Sequence, residues 1–345
     1  MKLLAVIMIV ISLSNPVSAL EITPPEPPSE ALELLPEEPE SFGQGLWYIL
    51  QNAIGYLEPA LADAAGVCGG LIAVSILMSL LSAVPGSTKQ VVELTGTVCV
   101  GLLLLKSTDS LVRLGSDTVS QLSDYGKLLL PVMAAAMAAQ GGATASAAIY
   151  TGTAFFDAIL GSVISKILSP MIYIFLCLSI ANCALGSEPL GKIRDLVKWA
   201  MTWGLKTILY LFTGYVGITG VVSGSADAAA LKAAKLTISG MIPVVGGILS
   251  DASEAVLVGA GVVKNGAGIY GMMAVLAIVI GPFIQIGVQY LLLKITSAVC
   301  GLFGTKQITS LLQDFSSAMG MLLAMTGSSC FLLLISTVCF MKGVG

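Results

Sequence analysis

The stretch IYGMMAVLAIVIGPFIQIGVQYLLL, residues 269–293, runs for 25 residues without a charged side chain. As a helix it would rise about 37 Å at ~1.5 Å per residue, which exceeds the ~30 Å hydrocarbon core of a bilayer. Hydrocarbon offers no water to satisfy backbone N–H and C=O groups, so a run like this closes its hydrogen bonds within itself as a membrane-crossing helix. Working outward, residues 64–84, 91–105, 167–186, 200–222 and 318–340 have the same largely apolar character. The expected fold class is all-α, a polytopic transmembrane helical protein.

Composition agrees. The chain is 56% hydrophobic and 10% charged, with a mean hydropathy of +0.95, whereas a soluble domain carries roughly a quarter charged residues. The net charge of −4 comes from one place, because Glu21, Glu26, Glu30, Glu33, Glu37, Glu38 and Glu40 share one short stretch. Without them and Lys2, 15 basic residues face 13 acidic ones. No dense basic patch exists to neutralise phosphates, which excludes a nucleic-acid partner. The chain has no histidine, so the usual zinc ligand and the usual general base of hydrolases are missing. Seven cysteines, Cys68, Cys99, Cys177, Cys183, Cys300, Cys330 and Cys339, sit in apolar runs without CxxC spacing and read as buried thiols. No GxxxxGK[ST] loop is present, so any energy input must come from a partner or an ion gradient. No catalytic residue, metal or cofactor is expected.

Residues 1–19 read as a signal peptide. Lys2 is its charged start, 3–13 its apolar core and Val17-Ser18-Ala19 its cleavage site. An uncleaved anchor is the other reading, but the core is short and Pro16 follows it. Residues 20–45 are acidic and rich in proline, and are expected to form a disordered or polyproline-like linker outside the cytoplasm. Residues 46–127 hold an amphipathic segment, with Trp47, Tyr48 and Tyr56 suited to the membrane interface, followed by a first transmembrane hairpin. The amphipathic stretches 106–124, 188–198 and 305–314 are expected to lie along the membrane surface.

Residues 128–222 and 240–345 read as two membrane repeats. Pro131-Val132 recurs as Pro243-Val244 and Pro170 as Pro282, each at an offset of 112. Cys183-Ala184-Leu185-Gly186 is echoed by Cys300-Gly301-Leu302-Phe303-Gly304, and Thr213-Gly214 by Thr326-Gly327. Each repeat opens on a Gly/Ala/Ser-rich stretch, 128–150 or 241–263. Such a stretch suits either close helix contacts or a re-entrant segment. Transporters are often built from repeats of this kind. The positive-inside rule expects Lys192, Arg194 and Lys198 on the cytoplasmic side.

Ionisable groups in apolar stretches are costly and mark candidate sites. They are Glu93, Asp157, Asp251 and Glu254, with Lys264 and Lys294 as possible partners. Asp251 and Glu254 are three apart and share a helix face; they could bind a cation or relay a proton, or simply cap a helix. Gln285 and Gln289, four apart, could bond a neighbouring helix or a substrate. Gly214, Gly217 and Gly220, with Gly259 and Gly261, suit close helix packing or a pore lining.

The run LSDASEAVLVGAGVVKN (249–265) and the hexapeptide IGVQYL (286–291), together with the signal peptide and the acidic linker, resemble the stage III sporulation protein AE family. The resemblance covers nearly the whole mature chain. It implies a non-enzymatic role in endospore formation in Gram-positive bacteria. The implied location is the mother-cell membrane surrounding the forespore, within a secretion-like assembly. Implied partners are a cytoplasmic ATPase, ring-forming membrane proteins and a forespore membrane protein. The assembly is expected to act as a channel that keeps the forespore active after engulfment. An ion-coupled transporter of a small solute and a purely structural scaffold are the competing readings.

Overall fold

The computed structural model describes residues 24–36, 42–82, 89–139, 143–218, 266–302 and 306–342. Residues 1–19, read as a signal peptide, and the second Gly/Ala-rich stretch lie outside these residues. Every long element is a helix, and no strand occurs among the described residues.

A single turn, α1 (Ser29–Leu32), comes first. Helix α2 (Phe42–Ala53) passes through a 3-10 turn, Ile54–Tyr56, into α3 (Leu57–Ser82). Helix α4 (Lys89–Ala139) is 51 residues long. Helix α5 (Ala143–Val163) continues through a π turn, Ile164–Leu168, into α6 (Ser169–Leu185). Helices α7 (Glu188–Ile218), α8 (Gly266–Leu302) and α9 (Lys306–Lys342) complete the bundle. Among the described residues, five stretches are long and apolar enough to cross a membrane: Phe42–Leu81, Val91–Met137, Ser146–Leu185, Ala267–Leu302 and Lys306–Met341.

Several sequence expectations change in form. The stretches 91–105 and 106–124, read as a span and a separate surface helix, are one continuous helix. No proline or glycine stands at the join to stop it. Its charges are paired along one face, Arg113 with Asp109 at 3.0 Å and Lys127 with Asp124 at 2.8 Å. Residues 306–314 likewise belong to the start of α9. Stretch 188–198 and residues 200–218 of the next stretch share α7, which is not one of the five apolar stretches found among the described residues. Its exposed Trp199 and Trp203 stack with ring centroids 5.9 Å apart.

Of the first Gly/Ala-rich stretch, 128–139 end α4 and 143–150 begin α5, and the Ser146 hydroxyl donates to the Ala134 carbonyl between the two helices at 2.6 Å. The π turn precedes Pro170 for a local reason. Proline has no N–H, and its ring clashes with the carbonyl four residues back, so the helix widens by one residue there. Helix α6 ends at Gly186, whose φ of +62° is the left-handed cap that glycine adopts without strain. Its N–H closes on the Asn182 carbonyl at 2.8 Å.

The linker expectation is corrected for residues 24–36. Ala31, Leu34 and Leu35 recur at helical spacing and are buried against the bundle, while Glu26, Glu30 and Glu33 stay exposed. Proline and glutamate dominate the composition, yet three apolar side chains at the right spacing suffice to dock the segment. The thiol expectation holds for five cysteines; Cys99 and Cys177 are exposed on the outside of the bundle.

Helix α9 is the centre. In its apolar window 94% of residues are buried, against 28% in the first two apolar stretches, so its neighbours shield it from lipid. Its hydroxyls would be costly in so dry a place. Thr326, Ser336 and Thr337 instead donate to carbonyls one turn back, at 3.1, 2.7 and 2.8 Å. Helix α8 runs antiparallel beside it, tied by Ser297 to the Thr309 carbonyl and by Ser316 to the Tyr290 carbonyl. Cys183 and Cys300 each sit in the last turn of a helix, α6 or α8, while Thr213 and Thr326 lie within the helices that follow, α7 and α9. Pro282 differs from Pro170 in lying inside an unbroken helix.

Candidate functional site

Polar and ionisable side chains inside the bundle are the candidates, and they fall into separate groups. Asp157, on α5, is 5% exposed and accepts a hydrogen bond from the Ser123 hydroxyl of α4 at 3.2 Å. Gly126, one turn on, makes room for it: a Cβ there would lie 3.5 Å from the carboxylate and 2.7 Å from Leu333 of α9. Glu93, near the start of α4, accepts from the Gln307 amide of α9 at 3.3 Å. Thirty residues of helix separate Glu93 from Ser123, about 45 Å at ~1.5 Å per residue. The carboxylates chosen from sequence are therefore not one site.

Lys294 does not pair with any of them among the described residues. Its ammonium lies over the Tyr290 ring, 5.4 Å from the centroid, and donates to the Tyr290 hydroxyl at 3.2 Å. Asp251, Glu254, Lys264, Gly220, Gly259 and Gly261 lie outside the described residues, and Gly217 is in the last turn of α7. A Cβ on Gly214 would meet no described atom. Close packing occurs instead at Gly101 against Ile180, Gly126 against Leu333, Gly152 against the Tyr215 ring and Gly271 against Leu129. Gln285 and Gln289, as their spacing suggests, share one face of α8 and line a common cavity.

The strongest polar junction was not visible in the sequence. Arg194 of α7 donates to Asp314 of α9 at 2.7 Å and to the adjacent Asp195 at 2.8 Å, and the Arg194 and Asp314 side chains are only 16% and 13% exposed. One turn on, Lys198 donates to the Ser317 hydroxyl at 3.1 Å. Burial works against the charge on Arg194, but the Asp314 and Asp195 carboxylates more than offset it and hold the guanidinium above its ordinary range. Both partner segments, 188–198 and 305–314, read as amphipathic in sequence. Amphipathicity reveals a polar face but not that two such faces meet across 120 residues. A second junction joins Asp109 of α4 to the Tyr173 hydroxyl of α6 at 2.7 Å. No cluster of three or more His, Cys, Asp or Glu suited to a metal occurs among the described residues.

Long apolar helices enclosing a central one, with ionisable side chains bonded between helices, define a multi-pass helical membrane protein. The family model described as Stage III sporulation protein AE (spore_III_AE) matches residues 40–343, and the chain belongs to that family. A relative from Bacillus subtilis (strain 168), Stage III sporulation protein AE, is 22% identical over 284 residues, which span 81% of this chain and 71% of the relative. No solved structure matches the chain.

Proposed function

We propose that the chain is a non-enzymatic integral membrane component of a sporulation channel or secretion-like complex linking mother cell and forespore. Its work falls after engulfment, in the mother-cell membrane surrounding the forespore. Partners are a cytoplasmic ATPase, ring-forming membrane proteins and a forespore membrane protein. The observation that carries this reading is the family match over residues 40–343, which takes in all the long helices. The bundle supports it physically: its largely buried ionisable groups Asp157, Arg194 and Asp314 bond across helices, as in a part built to assemble rather than to react. A cleaved signal peptide at 1–19 and a duplication of 128–222 as 240–345 belong to the same proposal.

A second reading, an ion-coupled permease for a small solute, is favoured by the buried Asp157 and by the cavity beside Gln289. Deletion of the gene in its spore-forming host is expected to arrest development after engulfment; normal spores would reject both readings. Complementation with the Glu93→Gln, Asp157→Asn, Asp251→Asn, Glu254→Gln variant separates them. An assembly component is expected to restore sporulation to near wild-type counts, whereas an ion-coupled permease would not.

A further inference from the structure

Two cavities meet at the middle of α8. The larger, about 260 Å³, lies between α3, α4 and α8, and its polar wall is Tyr56, Asp63, Ser107, Ser110, Gln285 and Gln289. The smaller, about 100 Å³, shares Tyr56 and Gln285 and carries Glu30 and Asp117. Pro28, Ala31 and Leu34 of the α1 segment close one side of it.

Gln289 is 5% exposed and lines the larger cavity. An amide that opens only onto a cavity takes its hydrogen bonds there, from water or from a bound group. Gln285, one turn earlier, lines both cavities. Ser107 and Ser110 of α4 line the larger one too, the Ser110 hydroxyl donating to the Ser107 carbonyl at 3.0 Å.

We infer that this cavity binds a small organic cation, a primary ammonium carried on a short alkyl chain. Charge sets the sign. Asp63, Glu30 and Asp117 line the two cavities, and among the described residues no lysine or arginine lines either. A zwitterion would leave its carboxylate facing carboxylates, and an anion would be repelled outright. Size and wall chemistry set the rest. The larger cavity far exceeds the ~10–15 Å³ that one water needs, so a bare ion would not fill it. Val67, Leu111 and Pro59 supply an apolar side for a carbon chain. The ammonium donates to Asp63 and the Gln289 carbonyl, and the Gln285 amide and serine hydroxyls take a second polar end. The site stands whether the chain moves such a solute or only holds it, and it is read by binding alone.

The test uses the full-length chain in lipid nanodiscs, with radiolabelled 1,4-diaminobutane as probe and 1,4-butanediol and sodium chloride as competitors. Saturable diamine binding, competed by unlabelled diamine but not by equal concentrations of the diol or of sodium, is expected. Gln289→Leu and Asp63→Asn are each expected to weaken binding about tenfold, as the loss of one charge-assisted or buried hydrogen bond does. Asp63 is exposed, so its variant keeps the test open if Gln289→Leu fails to fold. No binding to the folded wild type, equal competition by the diol or by sodium, or full-strength binding by folded Asp63→Asn would each overturn the assignment.

Discussion

Replacing Asp314 by alanine is expected to destabilise the protein by about 3–5 kcal/mol, because it strands the Arg194 guanidinium in a site where that side chain is 16% exposed. Asp195 remains beside it at 2.8 Å, but its side chain is 65% exposed and solvent weakens what it can contribute. The pair itself gains little net energy over well-packed apolar groups, since its attraction is largely consumed in desolvating two ions. Arg194→Met combined with Asp314→Leu is therefore expected to return to within about 1 kcal/mol of the wild type. Denaturation of the purified protein in mixed micelles, followed by circular dichroism, measures both. If the single variant were as stable as the wild type, α7 would not be held to α9 by this junction.

Gly152→Val should be the second large effect, about 1–3 kcal/mol of overpacking. Any Cβ at position 152 collides with the Tyr215 ring, which cannot fold aside as a flexible side chain would. The Tyr215 hydroxyl also donates to the Ala148 carbonyl at 2.7 Å, so pushing the ring away breaks that bond too. Tyr215→Ala removes the obstacle at the expense of its own contacts, including the Phe156 ring at 5.8 Å. The two substitutions together are expected to cost about 1 kcal/mol less than the sum of the singles. Strict additivity in the same micelle titration would place α5 and α7 out of contact.

These two sites show where sequence was informative and where it was not. The run 269–293 declared a helix because no charge or turn residue interrupts it, and Gln285 and Gln289 were recognisable as a pair from helical spacing alone. The 51-residue helix was harder. Asp109, Arg113, Asp124 and Lys127 lower the local hydropathy and so split one helix into a span and a surface segment. Within the helix they pair with one another. In the same way, the prolines and glutamates of residues 24–36 hid the docking triplet Ala31, Leu34 and Leu35. Glycine packing could not be read at all. Gly214 sits in a run that looks made for helix contact and touches no described atom, whereas Gly152 in an ordinary-looking stretch abuts an aromatic ring. Which face a glycine occupies depends on a neighbour far away in the chain. Arg194 and Asp314 carry the same lesson, being separated by 120 residues.

Enclosure of α9 underlies both the packing and the assembly role we propose, and lipid-side labelling tests it most directly. The full chain in native membranes would be exposed to a hydrophobic carbene precursor dissolved in the bilayer, photolysed, digested and read by mass spectrometry. Adducts are expected at outward-facing positions such as Leu77, Leu80, Leu102 and Leu103, with residues 318–334 almost free of label. Adducts on 318–334 as dense as those on Leu102 and Leu103 would contradict it, and would put the most enclosed helix of the bundle against lipid.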